Sequence, residues 1–163
     1  MTMNPKNRKQ MVFEAAAVVA RWLLGAMFLY TGASKALAPF DFLRLLRQYD
    51  LVHNHWPLNL VAAGVPWFEI FCGLLLLAGI AVRGTALLLT AMLIAFTVLV
   101  WHRALVLQPL LHIPFCAVKF DCGCGTGEVY ICHKLLENFL LLLLSLWLLA
   151  GRGRCLCLRH GLI

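Results

Sequence analysis

The sequence predicts an all-α integral membrane protein, a four-helix bundle with a short interfacial amphipathic helix in its first outer loop. Three observations predict it. Hydrophobic residues fill 63% of the 163 positions and charged residues only 13%, where soluble domains run nearer half and a quarter. The excess is gathered into blocks such as "GLLLLAGIAV" and "ALLLTAMLIAFTVLVW". Such blocks approach the roughly twenty apolar residues that cross a hydrocarbon core as a helix, and in lipid only helices satisfy every backbone group without closing into a barrel.

Taken in order, the spans are expected at about 11–32, 60–82, 84–107 and 135–150, within one transmembrane domain covering 1–163. Lys6, Arg8 and Lys9 before the first apolar run suggest a cleavable leader. That run is too long for one, carries Glu14 and Arg21 and continues to Tyr30, so it reads as a retained span. In "PFDFLRLLRQYDL", Phe42, Leu45, Leu46 and Tyr49 follow the i, i+3, i+4, i+7 pattern, with Asp41, Arg44, Arg47 and Gln48 between them. Pro39 suits a helix start. A helix of this kind lies in the interface, either as a flap over the bundle or as a lid gating a ligand. Spans two and three meet tightly around Arg83 and Gly84, which demands an antiparallel hairpin. Loops 33–59 and 108–134 therefore share the opposite side. The fourth span is short, holds Glu137 and Asn138 in its first turn, and is expected to continue through the Cys155 region with Arg152 and Arg154 snorkelling.

The formal charge of +7 flanks the apolar blocks and forms no basic stripe, which excludes nucleic acid as the partner and points to the lipid bilayer. The termini and the Arg83 turn carry Lys6, Arg8, Lys9, Arg83, Arg152, Arg154 and Arg159, against Lys35, Arg44, Arg47, Lys119 and Lys134 opposite. Seven against five favours a multi-pass protein of the bacterial inner membrane with both termini cytoplasmic and loop 108–134 periplasmic.

Glu14, Arg21, Gly25, Phe28, Gly32 and Lys35 recur at helical spacing on one face of the first span, as do Pro66, Glu69 and Gly73 on the second. Arg21 and Glu69 both fall near mid-membrane by residue count, so an Arg21–Glu69 ion pair is expected. It either fixes the bundle or, with Lys35, forms a polar site for a quinone head group or a proton. His102 and Arg103 lie near the outer end of span three.

These residues, in "RWLLGAMFLYTGASKALAPFDF", "YDL", "VPWFEIFCGLLLLAG", "DCGCG" and "ENFLLLL", resemble the DoxX/MauE family of four-helix membrane proteins. The resemblance runs from Arg21 to about Leu144 and rests also on Cys122, Gly123, Cys124 and Gly125. It implies a redox association. MauE-like members are linked to disulfide formation beside a thioredoxin-like partner during maturation of methylamine dehydrogenase, and DoxX-like members to quinone-reducing thiosulfate oxidation. Gly125 stands where the MauE-like pattern has Phe, and Cys116 and Cys132 are additional.

The cysteines carry the chemistry. On an oxidising face loop thiols pair, and cysteines one residue apart close only a small, strained ring of the labile, exchanging kind. Cys122 and Cys124 are thus the expected catalytic couple, attacked by a partner thiolate, with the electrons leaving to a quinone. Gly123 and Gly125 let a thiolate approach. Lys119, Lys134 and His133 favour thiolate, whereas Asp121 and Glu128 oppose it. Cys116 and Cys132 form an auxiliary pair that relays electrons or staples the loop. The C-x5-C-x-C-x7-C spacing matches no standard metal signature even with His112 or His133 nearby, so no metal is expected. Cys72, Cys155 and Cys157 receive no role. The function expected is a membrane thiol–disulfide oxidoreductase or electron-relay component, passing electrons to a quinone or a thioredoxin-like partner. The alternative is a non-catalytic accessory subunit of a larger membrane redox complex.

Overall fold

A computed structural model describes residues 5–48, 55–111, 113–121 and 127–150. The order is α1 (Pro5–Leu37), α2 (Pro39–Gln48), α3 (His55–Ala78), α4 (Val82–Leu111), a 3-10 turn (Phe115–Ala117), β1 (Lys119–Asp121), β2 (Glu128–Tyr130) and α5 (Ile131–Leu149). Among the described residues, four segments are long and apolar enough to cross a membrane: Met11–Leu37, Leu58–Ala78, Val82–Pro109 and Ile131–Leu149. The chain is an all-α, multi-pass membrane bundle. Large side chains such as Trp22, Tyr30, Trp67, Phe71 and Trp101 are exposed, as a lipid-facing surface requires.

Two expected boundaries move. Arg83 and Gly84 belong to the first turn of α4 rather than to the connection. The turn lies at 79–81: Ile80 N–H donates to Leu75 O and Gly79 N–H to Leu76 O, the Schellman pattern, with Gly79 at φ 71°. The fourth helix begins at Ile131, four residues earlier than its expected start, and ends at Leu149. Its length therefore comes from the loop side; the expected continuation through Cys155 lies outside the described residues.

The helices pair as α1 on α3 and α4 on α5, with α1 also meeting α5. Small residues set the first pair. A Cβ on Gly73 would stand 2.8 Å from Gly25 O, and one on Gly32 would stand 2.8 Å from Pro66 O. This is the close backbone approach that small residues permit between membrane helices. Polar side chains link the second pair: Thr90 Oγ1 donates to Ser145 Oγ at 2.9 Å, and Asn138 Nδ2 to Thr97 Oγ1 at 3.4 Å. Ala17, Leu24, Leu76, Leu89 and Leu148 are fully buried between all four spans. Replacing Thr90 with Val, a near-isosteric change, is expected to cost about 0.6 kcal/mol, the mean for such bonds; unfolding in mixed micelles measures it.

α1 stops at Leu37 because the residue before Pro39 is driven out of helical geometry. α2 then buries Phe42, Leu45 and Leu46 and packs Phe42 and Leu46 on Leu58 and Ala62 of α3. Asp41, Arg44, Arg47 and Gln48 face outward. The amphipathic helix is thus a flap on the first turns of α3; Tyr49 lies outside the described residues. On the same side, β1 and β2 form an antiparallel ribbon with Phe120 opposite Val129. Val118, Phe120 and Ile131 bury against Val100 and Ala104 of α4.

Candidate functional site

The ribbon leads straight into α5, with Ile131 N–H donating to Val118 O at 3.1 Å. Cys116, in the 3-10 turn, and Cys132, in the first turn of α5, are joined by a disulfide with their Cα atoms 5.1 Å apart. Cys116 is exposed and Cys132 half-buried. The bond closes the base of the ribbon, and residues 122–127 connect its two strands. The expected couple, Cys122 and Cys124, belongs to that connection and lies outside the described residues. Outside the ribbon's buried face, Lys119 Nζ sits 4.7 Å from the centre of the Tyr130 ring. His133 is exposed, as is His102 on α4, while Arg103 is half-buried. Cys72 is a buried free thiol.

The second candidate is the polar face inside the bundle. The expected Arg21–Glu69 pair does not form: Glu69 pairs with Lys35, whose Nζ is 2.5 Å from Oε1, both side chains being 3% exposed. The cause is the register of the two antiparallel helices. Gly25 meets Gly73 and Leu77, and Gly32 meets Pro66, Glu69 and Ile70, so Glu69 lies at the level of the last turn of α1. Arg21 is 14 residues before Lys35 (35 − 21), roughly 21 Å along the helix. It is buried, at 1% exposure, on the α1 face that carries Ala17, Ala20 and Leu24. Glu14, expected on the same face, is exposed near the terminal end.

Around Lys35 and Glu69 the four spans leave a cavity of about 40 Å³. Thr31 on α1 and Lys134 and Asn138 on α5 also line it, and Phe28, Leu93 and Phe96 wall it. Lys35 Nζ stands 4.8 Å from the Phe96 ring centre and 5.5 Å from that of Phe42, so aromatic faces join the carboxylate in holding the buried ammonium. Lys134 is 5% exposed and donates to Glu137 Oε2 at 2.9 Å. Sequence reasoning placed Lys134 among the loop charges and missed it as a lining residue. The usable signal was its spacing: Lys134 and Asn138 stand four apart, on one face of α5, as do Thr31 and Lys35 on α1.

A sequence model of the family described as methylamine utilisation protein MauE matches residues 13–151. No curated protein and no solved structure gives a match.

Proposed function

Because this chain belongs to the MauE family of membrane proteins, we propose that it is a thiol–disulfide oxidoreductase or electron relay whose exchanging couple is Cys122 and Cys124. The observation that carries this reading is the Cys116–Cys132 disulfide. It supports a loop side that faces an oxidising compartment, where thiols pair, and it clamps the ribbon whose two strands bracket the C-G-C segment.

In the proposed step a thiolate of a reduced partner attacks one sulfur of a Cys122–Cys124 disulfide. That S–S bond breaks, a mixed disulfide forms, and the other cysteine leaves as thiolate. The partner's second thiolate then attacks the mixed disulfide, so the partner gains a disulfide while Cys122 and Cys124 hold two electrons and two protons. Reoxidation hands both to a quinone, which becomes hydroquinone, or to a thioredoxin-like disulfide, which becomes a dithiol. The family description supports a role in methylamine utilisation, and the client proposed there is a protein that receives its disulfides from this couple. The lysine and arginine distribution supports a bacterial inner membrane with cytoplasmic termini, and with them a periplasmic ribbon.

Reconstituted protein carrying Cys122→Ser and Cys124→Ser is expected to lose oxidation of a reduced partner dithiol, while its helicity and detergent stability stay those of the native chain. Unchanged turnover would reject the catalytic reading and leave the accessory subunit of a larger membrane redox complex.

A further inference from the structure

The cavity between the spans has a composition that an apolar bundle does not need. Glu69 is 2% exposed; its Oε1 accepts from Lys35, and its Oε2, buried, has no hydrogen-bond partner. A buried carboxylate oxygen without a donor is costly, and the cavity that Glu69 lines supplies the remedy. Its volume of about 40 Å³ exceeds the roughly 10–15 Å³ that one water requires and falls far below the about 150 Å³ of a cavity that takes a benzene ring. A water needs two to four polar partners. Glu69, Lys35, Thr31, Lys134 and Asn138 all line this space.

We propose that the cavity is a water site and that it links Glu69 to the loop-side surface by a proton path through Lys134 and Glu137. Lys134 donates to Glu137, whose side chain is 30% exposed within two turns of the loop-side end of its span, so the chain of groups runs from the outer end of the bundle toward the interior carboxylate. One proton passes from the Lys134 ammonium to the water as another passes from the water to Glu69 Oε2. Lys134 then regains its proton from solvent by way of Glu137. The charged groups facing Glu69 are Lys35 from α1 and Lys134 from α5; α4 contributes Leu93, Phe96 and Val100, and the charged residues of α2 point outward. The path uses no cysteine, so it stands or falls independently of thiol exchange.

The test is infrared difference spectroscopy on the full chain in a supported bilayer, after a pH drop on the loop side. A protonated-carboxyl band that Glu69→Gln removes is expected, rising at least tenfold more slowly in Lys134→Met and several-fold more slowly in Glu137→Gln. The second variant sits at a part-exposed position and keeps the test open if the first does not fold. Equal rates in native chain and variants, or no Glu69 band at any pH, would overturn the proposal.

Discussion

Glu69→Leu is expected to destabilise the bundle by about 3–5 kcal/mol, the cost of breaking a buried ion pair by removing one partner. The substitution leaves the buried Lys35 ammonium without its carboxylate partner, on a cavity that Lys134 also lines. Lys35→Met is expected to cost less, because Lys134 remains on that cavity wall to offset the Glu69 charge. The double change Lys35→Met with Glu69→Leu is expected to recover most of the loss, since apolar side chains of similar volume replace a buried pair at little or no cost. Reversible unfolding in mixed micelles gives all three values. Additive losses in the double variant would show that the two side chains act separately.

The second large effect lies at the α1–α3 crossing. A Cβ at Gly73 would meet Gly25 O at 2.8 Å and Leu29 N at 3.0 Å, both backbone atoms, so no side chain can swing aside. Gly73→Leu is expected to cost more than the roughly 1–3 kcal/mol of an ordinary overpacked core site. It also pushes α3 away from α1 and lengthens the Lys35–Glu69 contact one turn further along. Gly64→Ala is the control. Nothing lies within 4 Å of its would-be Cβ, and it is expected to be neutral or to gain up to about 1 kcal/mol of helix propensity. Comparable losses at both positions would mean that the helices do not cross where the glycines place them.

These two results bear on what a sequence can reveal. Hydropathy located all four spans, and the period of 3.6 placed Arg21, Gly25, Phe28, Gly32 and Lys35 on one buried face of α1. Periodicity fixes a face and leaves open how far one helix slides along another. That is why the sequence alone pairs Glu69 with Arg21 rather than with Lys35: counting from span ends puts both Glu69 and Arg21 near the bilayer middle, whereas the Gly25–Gly73 and Gly32–Pro66 contacts set the actual level. The start of α5 was hidden for a different reason. Lys134 lowers the local hydropathy and reads as loop, yet it pairs with Glu137 and faces inward, so the helix carries it within its span. The ribbon had no periodic signal at all. Three-residue strands are too short to alternate visibly, and they gain their stability by resting Phe120 and Val129 on the ends of α4 and α5.

The proposed chemistry rests on Cys122 and Cys124 acting as a reversible couple, and one measurement reaches it directly. Protein in lipid is equilibrated over a series of glutathione ratios, its free thiols are alkylated, and each cysteine is mapped by mass spectrometry. Cys122 and Cys124 are expected to pass together from two free thiols to one disulfide, at a less reducing potential than Cys116 and Cys132, because a ring closed across a single residue is the more easily opened. Two thiols at 122 and 124 that stay reduced throughout, while Cys116 and Cys132 remain paired, would contradict the account.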